Sequence, residues 1–180
     1  DIHTAIRECK GVMVHKRKRN IGKRLHPKYA ALVKNLTGAY DVFSIEPDIS
    51  AIRVIEGCFA VISMPFTSTA LLGRGLGKPS IYYDPHGVVQ KDDRAAHGIQ
   101  VLSGKDELRN WLVENLNGMG LKEAGHFMRN IGMYEVVTIL DRHILKNLHK
   151  HGVIEEVPNP LTKKHYMDIE GKMLEFCKEI

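Results

Sequence analysis

Asn117-Gly118-Met119-Gly120-Leu121-Lys122 is a short stretch in which two glycines precede one lysine, and Thr138-Ile139-Leu140-Asp141-Arg142-His143 follows it with one aspartate. Apolar residues at helical spacing lie on both sides of the glycines, so the pattern predicts two helices joined by a hairpin. Lys122 and Asp141 are 141 − 122 = 19 positions apart. That separation allows one helix and a return loop, so an amine and a carboxylate can face each other across one cleft.

Helical stripes extend from this hairpin to the end of the chain. The stripe before it consists of Leu108, Leu112, Val113 and Leu116, and the stripe after it of Leu121, Ala124, Phe127, Met128 and Ile131. Beyond two prolines, a final helix is predicted over residues 162–177. The run Val136-Val137-Thr138-Ile139 is β-branched and favours a strand by propensity.

The hairpin residues have a chemical and an ordinary interpretation. Gly118 and Gly120 let another backbone approach the N–H groups at a helix N-terminus, which suits a phosphodiester, but helix turns also commonly use glycine. Lys122 can be a nucleophile or a solvated lysine. Asp141 can be an acid-base group or a helix N-cap, which stabilises a helix by about 1 kcal/mol.

The first half alternates short strands and helices. Strands are predicted over residues 11–15, 42–45, 59–63 and 80–83, and helices over residues 27–36, 49–55 and 67–76. This alternation predicts a parallel, doubly wound α/β sheet. Ligands of such sheets gather outside the carboxyl ends of the strands, where the basic run Lys16-Arg17-Lys18-Arg19 follows the first strand.

The charge distribution and the cysteines indicate where the binding surface and the cellular compartment of the protein should be sought. Residues 1–100 hold 15 Lys and Arg against 9 Asp and Glu, whereas residues 101–180 hold 11 against 12, so the positive charge lies in front. The odd set Cys9, Cys58 and Cys177 has no disulfide or metal spacing, which predicts a reducing cytoplasm. No apolar run approaches the length that a membrane span requires. No zinc spacing exists among the histidines of the second half, which are His126, His143, His149, His151 and His165.

Residues 108–179 resemble the helix-hairpin-helix DNA glycosylases, and most closely the type-2 8-oxoguanine DNA glycosylase/abasic-site lyases. The resemblance lies in Leu112-Val113-Glu114-Asn115-Leu116-Asn117-Gly118-Met119-Gly120-Leu121-Lys122-Glu123-Ala124-Gly125-His126-Phe127-Met128-Arg129-Asn130 and in Ile139-Leu140-Asp141-Arg142-His143-Ile144-Leu145. It implies an all-helical segment in which residues 136–139 are a buried approach to a helix capped by Asp141.

This resemblance also implies a chemistry. Lys122 would attack the sugar of a flipped-out nucleotide and form a Schiff base, and Asp141 would stabilise the charge that develops on the sugar. Gly118 and Gly120 are the candidates for contact with the DNA backbone, and Arg129 and His143 are candidates for packing or for contact with a phosphate. The implied partner is duplex DNA with an oxidised guanine or an abasic site, and no cofactor is required.

The first half resembles another family, the PFTS-motif polysaccharide biosynthesis proteins, whose fold is similar to the nucleotide-binding half of a GT-B glycosyltransferase. The resemblance lies in Val61-Ile62-Ser63-Met64-Pro65-Phe66-Thr67-Ser68-Thr69-Ala70 and Gly77-Lys78-Pro79-Ser80-Ile81-Tyr82-Tyr83-Asp84-Pro85. It implies a nucleotide-sugar ligand held by seven residues. These are Lys16, Arg17, Lys18, Glu46, Thr67, Ser68 and Thr69.

The two resemblances predict an α/β segment over residues 1–106 and a helix-hairpin-helix segment over residues 107–180. A natural fusion, a designed chimera and an artefact of gene assembly would give the same sequence. DNA glycosylase/lyase activity is the first functional hypothesis. A nucleotide-sugar-binding polysaccharide biosynthesis protein is the second, and a non-catalytic scaffold is the third.

Overall fold

The computed structural model describes residues 13–16, 26–28, 30–31, 34, 42–129 and 133–178. These residues fall into two compact units, one within residues 6–104 and one within residues 105–180. The first is called the α/β unit and the second the helical unit. Each is described by itself.

The α/β unit is built from short parallel strands and short helices. Its elements are β1 (Met13–Lys16), β2 (Val42–Ile45), α1 (Ala51–Glu56), β3 (Val61–Ser63), α2 (Ser68–Gly75), β4 (Ser80–Asp84) and β5 (Gln100–Ser103). Strands β1 and β2 form one parallel pair, and β3, β4 and β5 form a parallel sheet in that order. The predicted parallel α/β architecture is confirmed. Because the three-stranded sheet has no reversal of strand order among the described residues, the doubly wound arrangement stays a prediction.

The core of this unit lies between α2 and the central strand β4. Ile81 and Tyr82 on β4 are completely buried, and so is Ala70 on α2. A Cβ atom at Gly73 would lie 2.5 Å from Ser80 Oγ and 2.7 Å from a Val61 methyl group. Only glycine therefore lets the last turn of α2 approach the two strands this closely.

Most predicted elements of the first half are present, with shifts of a few residues. The described residues of the predicted helix over 27–36 are helical at positions 27, 28, 30, 31 and 34. Strand β5 was not predicted. Its four residues carry only Val101 and Leu102 as apolar side chains, too short a run to stand out, and the strand forms because Tyr82 and Tyr83 of β4 lie opposite them.

The helical unit contains α3 (Gly104–Asn115), α4 (Leu121–Met128), α5 (Arg142–Lys150) and α6 (Lys163–Phe176). The predicted helical segment is confirmed, and residues 136–139 are not a strand. One buried cluster joins the turn before α5 with α5 and α6. It consists of Leu140, Leu145, Leu148, Ile154, Tyr166 and Ile169.

Across residues 42–129, 133–178 and the short described stretches before them, no helix is both long and apolar enough to cross a bilayer.

Candidate functional site

The predicted hairpin lies between α3 and α4. Gly118 has a φ of 82°, in the left-handed region that glycine adopts without strain. Gly120 is the N-cap of α4, and its N–H donates to the carboxylate of Glu123 at 3.1 Å. The first bond of the helix runs from Ala124 N–H to Gly120 O at 2.9 Å. The N–H groups of Leu121, Lys122 and Glu123 therefore point out of the helix N-terminus, as a phosphate ligand requires.

Lys122 and Asp141 each occupy the start of a helix. Lys122 is the second residue of α4 and is half-buried. Asp141 is the N-cap of α5, where its Oδ1 accepts the Ile144 N–H at 2.8 Å. Among the described residues, neither side chain has an ion-pair partner, and Asp141 Oδ2 accepts no hydrogen bond.

Packing connects the two helix starts through their chain neighbours. Leu121, beside Lys122, packs against the buried cluster that contains Leu140, beside Asp141. A Cβ atom at Gly125 would lie 3.1 Å from the carbonyl oxygen of Thr138. Helix α4 therefore lies directly against the segment that leads into Asp141, and a larger residue at Gly125 would push them apart.

The backbone before Asp141 is held by side chains that the sequence analysis missed. The N–H of Thr138 donates to Glu170 Oε1 at 2.8 Å. The hydroxyl of Tyr166 donates to the Thr138 carbonyl at 3.2 Å and accepts the Leu140 N–H at 3.3 Å. The ammonium of Lys105 donates to the Val136 carbonyl at 2.7 Å. Residues 136–140 are thus fixed without belonging to a helix or strand.

Glu170 in turn is paired with Arg109. Two guanidinium nitrogens donate to its two oxygens at 2.7 and 2.8 Å, both side chains are almost completely buried, and Lys105 lies 3.4 Å away. Burial alone would raise the pKa of the Glu170 carboxyl, but bonds from Arg109 and Thr138 and the nearby positive charges lower it below its ordinary value. Burial raises the pKa of the Tyr166 hydroxyl. At neutral pH the network is a carboxylate, two cations and a neutral phenol.

His126 lies one turn after Lys122 on α4. It is 9% exposed, and its Nδ1 has no hydrogen-bond partner among the residues that the structure describes. Burial, with the charges of Arg129 and Lys122 adding to it, lowers the pKa of the imidazole. His126 is therefore a neutral group on the helix that carries Lys122.

The two other predicted DNA contacts differ in exposure. Arg129 directly follows α4 and is half-buried, whereas His143, the second residue of α5, is exposed. A cavity of about 370 Å³ includes both chain neighbours of Asp141, Leu140 and Arg142, in its lining. Its other lining residues are Leu145, Lys146, Val157, Pro158, Asn159 and Leu161. The wall is mainly apolar, and its two cations come from α5.

In the α/β unit, the predicted ligand residues lie at the ends of strands. Thr67 is the N-cap of α2, and its hydroxyl donates to the Met64 carbonyl at 2.9 Å. Ser68, exposed, and Thr69, half-buried, begin the helix. Phe66 has a φ of 60°, and its ring contacts that of Tyr82. The hydroxyl of Tyr82 donates to the Thr67 carbonyl at 2.9 Å, so the turn is fixed from the core.

The remaining predicted residues of this unit follow β1 and β2. Lys16 ends β1 and donates to the Pro47 carbonyl at 3.0 Å, and Glu46, directly after β2, is exposed. Arg17 and Lys18 lie outside the described residues. Asp84, missed in the sequence, ends β4 and accepts the Val89 N–H at 2.7 Å and the His86 N–H at 3.1 Å. The Val89 bond is the main reason that the pKa of this carboxyl is lowered.

Metal binding finds no support in the described residues. No group of three or more histidine, cysteine, aspartate or glutamate side chains is arranged there to hold a metal ion.

Two family sequence models match the chain. That of 8-oxoguanine DNA glycosylase matches residues 89–180, and that of the polysaccharide biosynthesis PFTS motif proteins matches residues 1–112. The 8-oxoguanine DNA glycosylase/AP lyase of Fusobacterium nucleatum is 54% identical over 72 residues, which are 40% of this chain and 33% of that protein. The protein of the same description from Methanocaldococcus jannaschii is 43% identical over 72 residues, 40% of this chain and 34% of that protein. The chain thus spans about a third of the length of these relatives.

Two crystal structures are similar to part of the chain. The 8-oxoguanine DNA glycosylase of Thermotoga maritima is 41% identical, with a TM-score of 0.37, over 39% of this chain and 34% of that one. The enzyme of Methanocaldococcus jannaschii is 39% identical, with a TM-score of 0.39, over 42% of this chain and 35% of that one.

Proposed function

We propose that this chain, which belongs to the 8-oxoguanine DNA glycosylase family through residues 89–180 and to the polysaccharide biosynthesis PFTS motif protein family through residues 1–112, acts on damaged DNA through its helical unit. The reaction is removal of an oxidised guanine, or cleavage at an abasic site, through a Schiff base on Lys122. The observation that carries the proposal is the placement of Lys122 and Asp141 at two helix starts whose neighbours share one buried cluster.

The hairpin binds the DNA backbone in this proposal. N–H groups at the start of α4 donate to a phosphate, and Gly118 and Gly120 allow the approach because neither carries a side chain. Such contacts position a duplex without reading its sequence. Arg129, directly after α4, and His143, the second residue of α5, supply further phosphate contacts. The damaged nucleotide leaves the stack at a cost of a few kcal/mol.

Lys122 is the nucleophile. Its neutral amine attacks C1′ of the sugar, the bond from C1′ to the base breaks, and the base leaves with the electron pair and takes up a proton. Ring opening then gives a Schiff base between Nζ and C1′. Loss of a C2′ proton and departure of the 3′ phosphate cleave the strand. An abasic sugar enters at the aldehyde stage and loses water instead of a base.

Asp141 takes part in the reaction through Oδ2, the carboxylate oxygen that does not cap the helix. Its Oδ1 is held by Ile144 N–H, which fixes the carboxylate plane, while Oδ2 faces the positive charge that develops on the sugar. A fixed carboxylate stabilises such charge without reorganising during the reaction. The same oxygen can accept a proton from the attacking amine.

Borohydride trapping tests this proposal directly. Reduction of the Schiff base should link the full chain covalently to a duplex with one abasic site, and Lys122→Gln should abolish the link. Lys172→Gln, which removes an exposed lysine of α6 that pairs with Asp168, is the matched control and should trap like the wild type. Equal trapping by the Lys122 variant would show that other amines react, and a folded wild type that forms no adduct would refute the proposal.

A second function is proposed for the α/β unit, as a GT-B-like half domain that binds a nucleotide sugar in the cytoplasm. The turn at Phe66, fixed by the bond from Tyr82 to Thr67, favours it because α2 begins there, directly after a parallel strand. Thr67, Ser68 and Thr69 would contact the diphosphate, and Glu46 a ribose hydroxyl. Lys16, Arg17 and Lys18 would neutralise phosphate charge.

Calorimetry with uridine diphosphate and its sugars tests this second function. Binding should weaken when Lys16 and Arg17 are both replaced by alanine, whereas Lys122→Gln, in the helical unit, should leave it unchanged. Absence of heat across a panel of nucleoside diphosphates would refute the assignment.

A further inference from the structure

We infer that Tyr166 and Glu170 are positioning residues that hold Asp141 in place through the backbone of Thr138 and Leu140. The inference rests on the proposed function, because it concerns the aspartate of that site. Neither side chain touches Asp141. They act on it through the two residues that precede it by three positions and by one.

Three hydrogen bonds connect α6 to the backbone before Asp141. Glu170 accepts the N–H of Thr138 at 2.8 Å, and the Tyr166 hydroxyl both donates to the Thr138 carbonyl and accepts the Leu140 N–H. Tyr166 and Glu170 are four residues apart on α6, so they project from one face of one helix. Three backbone groups before Asp141 are therefore tied to a single rigid element.

The side chains on that face of α6 are themselves held by α3. Arg109 donates to both oxygens of Glu170, and its guanidinium carbon lies 5.8 Å from the centre of the Tyr166 ring. Lys105 links the same carboxylate to the Val136 carbonyl. Two parallel hydrogen bonds between a guanidinium and a carboxylate fix the orientation of both groups. Arg109 of α3 therefore holds Glu170 of α6, which in turn holds the segment before Asp141.

The position of Asp141 affects the rate of the proposed reaction. Misplacing a reacting group by about 1 Å can slow catalysis roughly 100-fold. Tyr166→Phe removes two of the three bonds and keeps the ring, so the segment loosens without a cavity. We expect the rate of borohydride-trapped adduct formation to fall about 10-fold, with an unchanged dissociation constant for abasic duplex.

A double-mutant cycle separates positioning from a general loss of structure. Tyr166→Phe should slow adduct formation in the wild type and have little further effect in an Asp141→Asn background, because it acts through that carboxylate. The matched control is Thr138→Val, which removes a buried hydroxyl without a hydrogen-bond partner in the described part of the chain and keeps the backbone groups. The control should trap at the wild-type rate. Equal slowing by Tyr166→Phe in both backgrounds would overturn the inference.

Amide hydrogen exchange tests the same coupling in the full chain without DNA. The Ile144 N–H donates to Asp141, so its exchange rate reports whether the carboxylate holds its position. Tyr166→Phe should accelerate exchange at Ile144 about 10-fold relative to the end of α5, and Thr138→Val should not. Unchanged protection at Ile144 would overturn the inference, even if the wild type forms no adduct and the proposed function has failed.

Discussion

Asp141 uses its two oxygens for different purposes, which makes structure and chemistry separable by substitution. Asn at an N-cap accepts the same N–H as Asp, so Asp141→Asn should keep the bond to Ile144 and change the unfolding free energy little. Asp141→Ala should cost about 1 kcal/mol. Both variants should form adduct more slowly. Chemical denaturation with trapping rates checks this, and an Asn variant as unstable as Ala would contradict it.

Two buried ionisable groups give the helical unit an acid sensitivity with a defined sign. His126 and Glu170 both have pKa values lowered by folding, so the unfolded chain binds more protons and acid favours unfolding. The contribution of His126 is present above its unfolded pKa of 6.5 and is lost as pH falls through the folded value. That of Glu170 is present above 4.5 and is lost further into acid.

Thermal unfolding of the full chain across this pH range measures the effect. The melting temperature of the helical unit should start to fall below about pH 6.5 and fall further below about pH 4.5. His126→Gln should remove the first decline and leave the second. A decline that persists unchanged in that variant would assign the first step to another group.

Helix α5 carries a row of cations. Arg142, Lys146 and Lys150 are exposed and four residues apart, so they lie along one face, and no acidic residue occurs from 142 to 151. The net charge of the second half is close to zero and therefore does not show this local concentration of positive charge. The row is suited to a phosphate backbone.

A salt series tests the row. Replacing Lys146 and Lys150 by glutamine should change the salt dependence of DNA binding. The plot of the logarithm of the binding constant against the logarithm of the salt concentration should become less steep by about 0.9 for each phosphate that these lysines neutralise. Lys172→Gln is the control, because Lys172 pairs with Asp168 at 3.0 Å on α6. Equal slopes in both variants would exclude the row from the interface.

The helices and most strands were predictable because their signals are local. The capping residues Asp141 and Thr162 and the periodic apolar residues lie within a few positions of the elements they define. The pair of Arg109 and Glu170 spans 61 positions and leaves no periodic trace, so sequence reasoning missed the network behind the candidate site. Residues 136–139 show the opposite case. Their propensity favours a strand, but hydrogen bonds with side chains from distant helices hold them outside any strand.

At the scale of the whole molecule, the α/β unit exposes large apolar side chains. Phe59 is 80% exposed and Met64 63%, and Phe43, Ile62 and Phe66 are also exposed. Exposed apolar groups on this scale bind hydrophobic dyes and promote association. We expect the native chain to enhance anilinonaphthalene sulfonate fluorescence and to self-associate at high concentration.

Substitution of Phe59 and Met64 by serine should lower the dye signal and the association without lowering the melting temperature. Val88→Ser, at a residue 79% exposed elsewhere in the unit, is the control. Light scattering and dye titration measure both effects, and an unchanged signal in the double variant would show that these side chains are covered in solution.

The helix cap at Asp141 also bears on how such chains diverge. A lineage that no longer repaired DNA would still lose about 1 kcal/mol by discarding that aspartate, so selection for folding alone would retain it. Lys122 has no ion pair with any described residue and would drift freely once its chemistry was useless. In a comparison of many descendants, persistence of the lysine would therefore record continuing activity, and persistence of the aspartate would record only a folded helix.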